Sequence, residues 1–100
     1  MMDSTDNFFM IYIQRNKSAT LDEVKRTMNR ALDWYRVNES LWIVYSTSDA
    51  EKWYARLSPL VLEDGNVFIC RLDVNARQGW MNKGFWSWLR REDPKSEDQT

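Results

Sequence analysis

Three short apolar runs, none longer than about eight residues, constrain this chain more than any other feature. They are Phe8-Phe9-Met10-Ile11-Tyr12-Ile13-Gln14, Ser40-Leu41-Trp42-Ile43-Val44-Tyr45-Ser46-Thr47 and Val67-Phe68-Ile69-Cys70-Arg71-Leu72-Asp73. Each is rich in aromatic and β-branched residues and too short for a buried helix, so each predicts a strand. Two helix-start signatures stand between them. Thr20-Leu21-Asp22-Glu23 and Ser48-Asp49-Ala50-Glu51 both match the capping box, in which a hydroxyl and a carboxylate three residues apart satisfy each other's backbone amides. After the first, Leu21, Val24, Met28, Ala31 and Leu32 fall on one helical face, which predicts a helix ending near Asp33. After the second, Trp53, Leu57, Leu60 and Val61 form an apolar stripe. Pro59 would end or kink that helix, because proline lacks the amide hydrogen and crowds the preceding turn.

Residues 34–37 are ambiguous by periodicity. A strand over Trp34-Tyr35-Arg36-Val37, turned at Asn38-Glu39 into the run beginning at Ser40, is preferred to a longer helix. The order is then β-α-β-β-α-β. This is the split, ferredoxin-like arrangement of an α+β sandwich, one antiparallel sheet covered by two helices. A short Trp-rich helix over residues 85–91 follows. Residues 1–7 and 92–100 are acidic and polar and read as disordered ends flanking a single domain over 8–91. The sheet face away from the two helices is expected to be open and aromatic, which favours a homodimer.

Composition removes several chemistries. The chain has no His and one Cys among 100 residues, so Ser-His and Cys-His catalysis, His-ligated metals and Cys-rich zinc are all excluded. The three glycines form no phosphate loop. No cofactor is expected. The lone Cys70 sits in an apolar run and is expected in the core of a protein from a reducing compartment. No apolar stretch is long enough for a membrane span and the N-terminus lacks a signal-peptide pattern, which points to the cytoplasm and away from a membrane. The ends are acidic, whereas residues 8–91 hold 13 basic and 9 acidic side chains. That mild excess leaves room for nucleic acid without demanding it.

The carboxylate most open to a chemical role is Asp73, although a turn-capping role is the simpler expectation. For nucleic acid, Tyr12 and Trp42, with Trp34 and Tyr45, are expected on the open face beside Arg15, Lys17, Arg36 and Arg71. Near the C-terminus, Trp80, Phe85 and Trp88 are expected as structural anchors, with Trp86 the most exposed of the three tryptophans.

The first strand, the hairpin around Trp34–Tyr45, the Ser48-Asp49-Ala50-Glu51 helix start and the strand Val67–Leu72 resemble those of small SinR-like proteins related to CRISPR-associated protein two. The ending Gly79-Trp80-Met81-Asn82-Lys83-Gly84-Phe85-Trp86-Ser87-Trp88-Leu89 is similar to the Trp-rich close of those chains. The resemblance covers about residues 8–91. It implies a ferredoxin-like dimer in a bacterial or mobile-element defence or toxin–antitoxin setting. In the CRISPR-associated relatives it implies a Mg²⁺-dependent nuclease or a structural part in DNA integration, with an Asp at the end of the first strand holding the metal. The matching position here is Gln14, and a neutral amide replaces poorly the anionic oxygen that Mg²⁺ requires. The fold and the dimer therefore carry over, and the activity does not. The expected function is a non-catalytic dimeric interaction module, binding a protein or nucleic-acid partner. The alternatives are a Mg²⁺-dependent nuclease and a single-stranded nucleic-acid binder that uses the sheet aromatics.

Overall fold

A computed structural model describes residues 6–91. The ends expected to be disordered lie outside the described residues except for Asp6 and Asn7, and Asn7 belongs to the first strand. It comprises β1 (Asn7–Gln14), α1 (Leu21–Met28), β2 (Asp33–Arg36), β3 (Leu41–Ser46), α2 (Ala50–Leu57), a 3-10 turn (Ser58–Leu60), β4 (Asn66–Leu72) and α3 (Lys83–Leu89). The four strands form one sheet in the order β2-β3-β1-β4, and every neighbouring pair is antiparallel. The described residues thus form a mixed α+β protein with three helices.

Strand alternation divides the apolar residues between two layers. Phe9, Ile11 and Ile13 of β1, with Trp42 and Val44 of β3, point to one face. There they meet Val24 and Met28 of α1 and Trp53 and Leu57 of α2. Phe8 of β1 and Ile43 of β3 point to the opposite face and pack against Phe85 and Leu89 of α3. The C-terminal helix therefore lies across the face expected to be open. It is held there by an aromatic cluster in which Tyr35 stands edge-on to Phe85 at 5.2 Å and Phe8 edge-on to Trp88 at 5.7 Å. Such pairs add about 0.5–1.5 kcal/mol beyond their burial. The Arg91 guanidinium ties the end of α3 to β2 through Asp33 at 3.0 Å.

The caps explain the helix starts. Thr20 accepts from the Glu23 amide and the Glu23 carboxylate accepts from the Thr20 amide, a complete capping box. At α2 the expected Ser48–Glu51 box does not form. Asp49 is the cap instead, accepting from the Lys52 amide at 2.9 Å, while the Ser48 amide donates to Ser46 Oγ. A carboxylate is a stronger acceptor at a positive helix end than a hydroxyl, so the boundary falls one residue later. Asn82 caps α3 by accepting from the Phe85 amide at 2.8 Å. Asn82→Ala is expected to lower unfolding free energy by about 1 kcal/mol and to speed hydrogen exchange at the Phe85 amide. Urea titration and exchange measurements check both.

Three expectations are corrected. α1 ends at Met28, four to five residues early, and Leu32 is 59% exposed. The chain has already turned toward the sheet there, since the Leu32 amide donates to the Tyr45 carbonyl and Trp34 Nε1 to the Asn29 side chain. Cys70 is exposed and not in the core, because β4 is an edge strand and residue 70 points to the face that α3 leaves bare. Trp80 is no anchor. It is 98% exposed, the most exposed tryptophan, while Trp86 and Trp88 are both half-buried. Gly79 lies against the Trp86 ring, where a side-chain carbon would sit 3.6 Å away, and Trp80 turns out to solvent from there.

Candidate functional site

Rows of side chains crossing the second sheet face define its exposed part. Phe8 lies between Tyr45 and Leu72, Met10 between Ile43 and Cys70, and Tyr12 between Leu41 and Phe68. α3 covers the first row and the Ile43 end of the second. The third row stays open, with Leu41 and Tyr12 half-buried and Phe68 57% exposed. Beside it runs an apolar groove of about 430 Å³, lined by Val37, Leu41, Ile43, Leu72 and Phe85, with Gly79-Trp80-Met81 at its rim. β4 is also the outer strand on this side, so its seven residues offer an unpaired backbone edge. Tyr54 of α2 and Phe68 border a further shallow recess along that edge.

The expected nucleic-acid platform is not assembled. Trp42 is fully buried beneath the two helices and packs against Trp34 with the ring planes tilted by 60° at 4.9 Å, so neither ring is on the open face. Tyr12 is on that face. Tyr45 is on it too but is overlaid by Arg91, whose guanidinium sits 4.5 Å from the ring centroid. The Tyr45 phenol donates to Asp6 at 3.2 Å. Burial, then that bond and the Asp6 charge, raise its pKa above the ordinary tyrosine value, with Arg91 working against them.

The four expected cations separate into two places. Arg15, Lys17 and Arg36 line one cleft of about 520 Å³ at the sheet end where β1 and β2 finish. Arg71 lines a second cleft, of about 540 Å³, at the opposite end, together with Asp6, Tyr45, Asp73 and Arg91. In the first cleft, Arg36 is held by Nε donating to the Asn38 carbonyl at 3.1 Å and Nη2 to the Glu39 carbonyl at 3.2 Å. Its guanidinium lies over the buried Trp42 ring at 5.1 Å. Arg15 Nη1 donates to the Ala19 carbonyl at 3.2 Å.

Asp73 works as a turn residue, its Oδ1 accepting from the Asn75 amide at 3.0 Å. Gln14 Oε1 accepts from Asn66 Nδ2 at 3.1 Å and so ties β1 to β4. Among the described residues no three His, Cys, Asp or Glu side chains gather as a metal site would need. No helix among them is long and apolar enough to cross a membrane.

Sequence reasoning missed Phe68 and Trp80 as surface residues. Alternation within Val67–Leu72 gives Phe68 the face opposite Ile69, but only the sheet order shows that nothing covers it. Trp80 carried one usable signal, its place right after Gly79 in a segment without apolar periodicity. Comparison of the chain with family models, with curated proteins and with solved structures finds no match to any of them.

Proposed function

We propose that this protein is a non-catalytic interaction module that works as a homodimer, joined through the uncovered strip Leu41–Tyr12–Phe68 and the neighbouring Trp80. A ferredoxin-like arrangement is part of the reading, supported by the strand order β2-β3-β1-β4 with antiparallel neighbours. So is the likeness to small SinR-like chains of bacterial defence or toxin–antitoxin settings in the cytoplasm, which rests on the residue pattern alone.

The carrying observation is Trp80, 98% exposed at the rim of an apolar groove and next to an open aromatic row. Aromatic anchors in such positions dominate interface energetics. A second copy is the favoured occupant on area. Each aromatic buries about 150–250 Å² when covered. Tyr12 is already half-buried and Phe68 57% exposed, so covering what these two rings and Trp80 still show in two copies buries roughly 800 Å². The flanking Leu41, Met81 and Tyr54 extend this toward the range of about 1,200–2,000 Å² for stable association. The nucleic-acid reading has less support, because Arg15, Lys17, Arg36 and Arg71 stand apart from the exposed rings and Arg77 is, among the described residues, the one cation lining the groove beside Trp80. The nuclease reading has less still, because Asp73 caps a turn and Gln14 bonds Asn66.

Light scattering at tens of micromolar tests the proposal. Wild type is expected at twice the chain mass. Phe68→Asp and Trp80→Ser are each expected to weaken the dimer at least tenfold with little change in melting temperature, since both side chains are solvent-facing in one copy. A wild-type protein that stays monomeric retires the reading.

A further inference from the structure

We propose that the cleft at the end of β1 and β2 is a binding site for the phosphate group of a compact phosphorylated ligand, held by Arg15, Lys17 and Arg36. The site is independent of the dimer.

The polar groups left over in the cleft are mostly donors. Asn16 is spent on structure, its Oδ1 accepting from the Ser18 and Ala19 amides and its Nδ2 donating to the Pro59 and Leu62 carbonyls. Gln14 has its oxygen engaged by Asn66, which leaves its amide hydrogens. Among the described residues, Lys17 Nζ, Arg15 Nη2 and Arg36 Nη1 have no protein acceptor. Two of the three cations are already fixed, Arg36 by two carbonyls and the Trp42 ring and Arg15 by Ala19. Guanidinium groups held in advance lose little freedom on meeting an anion, and charge-assisted bonds to phosphate oxygens are among the stronger ones available. One acidic side chain, Glu39, shares the lining and leaves the cleft net cationic. Its volume of about 520 Å³ is within the usual range for a small-molecule site.

The surroundings favour a compact ligand over a long polyanion. Asp64 reaches the Lys17 amide at 3.4 Å on one side. Asp22 and Glu23 stand in the first turn of α1 just beyond Leu21, which also lines the cleft. A run of phosphates leaving the cleft would meet these carboxylates, whereas a single phosphate or diphosphate would not.

Isothermal titration of the full chain in about 0.15 M salt, near physiological ionic strength, separates the cases. The probes are pyrophosphate, a nucleoside diphosphate and a 20-nucleotide single-stranded DNA. Pyrophosphate and the nucleoside diphosphate are expected to bind, and a parallel NMR titration is expected to show amide shifts in 14–17. Lys17→Gln, Arg15→Gln and Arg36→Gln are each expected to weaken them at least fivefold. Arg71→Gln, at the far end of the sheet, is expected to leave them unchanged. Lys17 is exposed and its side chain makes no hydrogen bond or ion pair among the described residues, so loss of binding in its variant is not a sign of misfolding. No heat and no shifts at millimolar pyrophosphate overturn the site. Arg71→Gln weakening binding as much as Lys17→Gln would reduce it to general charge attraction. Tighter binding of the single-stranded DNA than of pyrophosphate would overturn the compact ligand.

Discussion

Trp53→Ala is expected to remove about 3–5 kcal/mol of stability, the ordinary cost of emptying a buried tryptophan site. Trp53 is 0% exposed in the centre of the helix-side core. Its Nε1 donates to Ser46 Oγ at 3.1 Å, and Ser46 is itself buried and accepts from the Ser48 amide through the same oxygen. The indole therefore fills volume and also completes the hydrogen bonding of a buried hydroxyl at the end of β3. The Arg56 guanidinium lies 4.9 Å from the ring centroid, so truncation also removes the surface along which that side chain is laid. Burial, then the nearby Arg30 charge, lower the Arg56 pKa below the usual guanidinium value, with Asp49 opposing. Domains have about 5–15 kcal/mol in total, so the variant is expected to be partly unfolded near body temperature. Its melting point should fall by at least about 12 °C. Trp53→Phe separates the two parts, since it keeps most of the volume and loses the bond to Ser46. Its loss is expected at about 1–2 kcal/mol. Equal losses for the two variants would show that the hydrogen bond, and not the filled volume, is what matters.

Gly65→Ala is expected to cost about 3 kcal/mol or more, at the upper end for forced overpacking. A side-chain carbon there would stand 2.4 Å from the Gln14 carbonyl oxygen and 2.9 Å from both the Asn16 amide nitrogen and the Val61 Cα. All three are backbone atoms, so no rotamer change relieves the clash. The neighbourhood is also stitched together: the Gly65 amide donates to the Val61 carbonyl at 2.8 Å and the Asn16 amide to the Leu60 carbonyl at 2.8 Å. Relief must come from moving the end of β1 away from the turn before β4. That shift would loosen the Gln14–Asn66 pair and reposition Arg15 and Lys17. At an unhindered position the same substitution stabilises by about 0.4–1 kcal/mol, through the unfolded chain. A denaturation midpoint that rises in Gly65→Ala therefore sinks the close-approach argument outright.

Much of the sheet was legible in the chain because β-rich runs are local signals. The three apolar runs and the hairpin strand became β1, β3, β4 and β2, each within a residue or two of its expected limits. What local pattern could not supply was which strand stands at an edge. Cys70 reads as core by composition and is exposed by position, and the strand pattern alone does not tell that Phe68 beside it on the same face is exposed. Trp34 and Trp42 were placed on the wrong face for a related reason: alternation fixes which residues share a face and leaves open which face the helices choose. Trp80 is exposed and not an anchor because the irregular ten-residue connection it stands in has no period from which to read burial, whereas Trp86 lies within α3 and is half-buried like Trp88. The cationic cleft joins residues about 20 apart in sequence. It was within reach, since a split arrangement makes β1 and β2 finish at the same end of the sheet, but the four cations were grouped with the aromatics and not by strand end.

The inner position of β1 also bears on how the chain comes to be folded. The strand made first pairs with β3 and β4, so its two partners are synthesised about 30 and 60 residues later. At about 5–20 residues per second, Phe8 through Ile13 wait for several seconds with no sheet to join. Pairings so distant along the chain also slow the search itself, because loop closure must precede the contacts that reward it. A nascent chain halted before β4 has its first strand bare along one side, in a stretch of six consecutive apolar residues. Stalled or C-terminally truncated products of this chain are thus the species most exposed to aggregation and to capture by holdase chaperones.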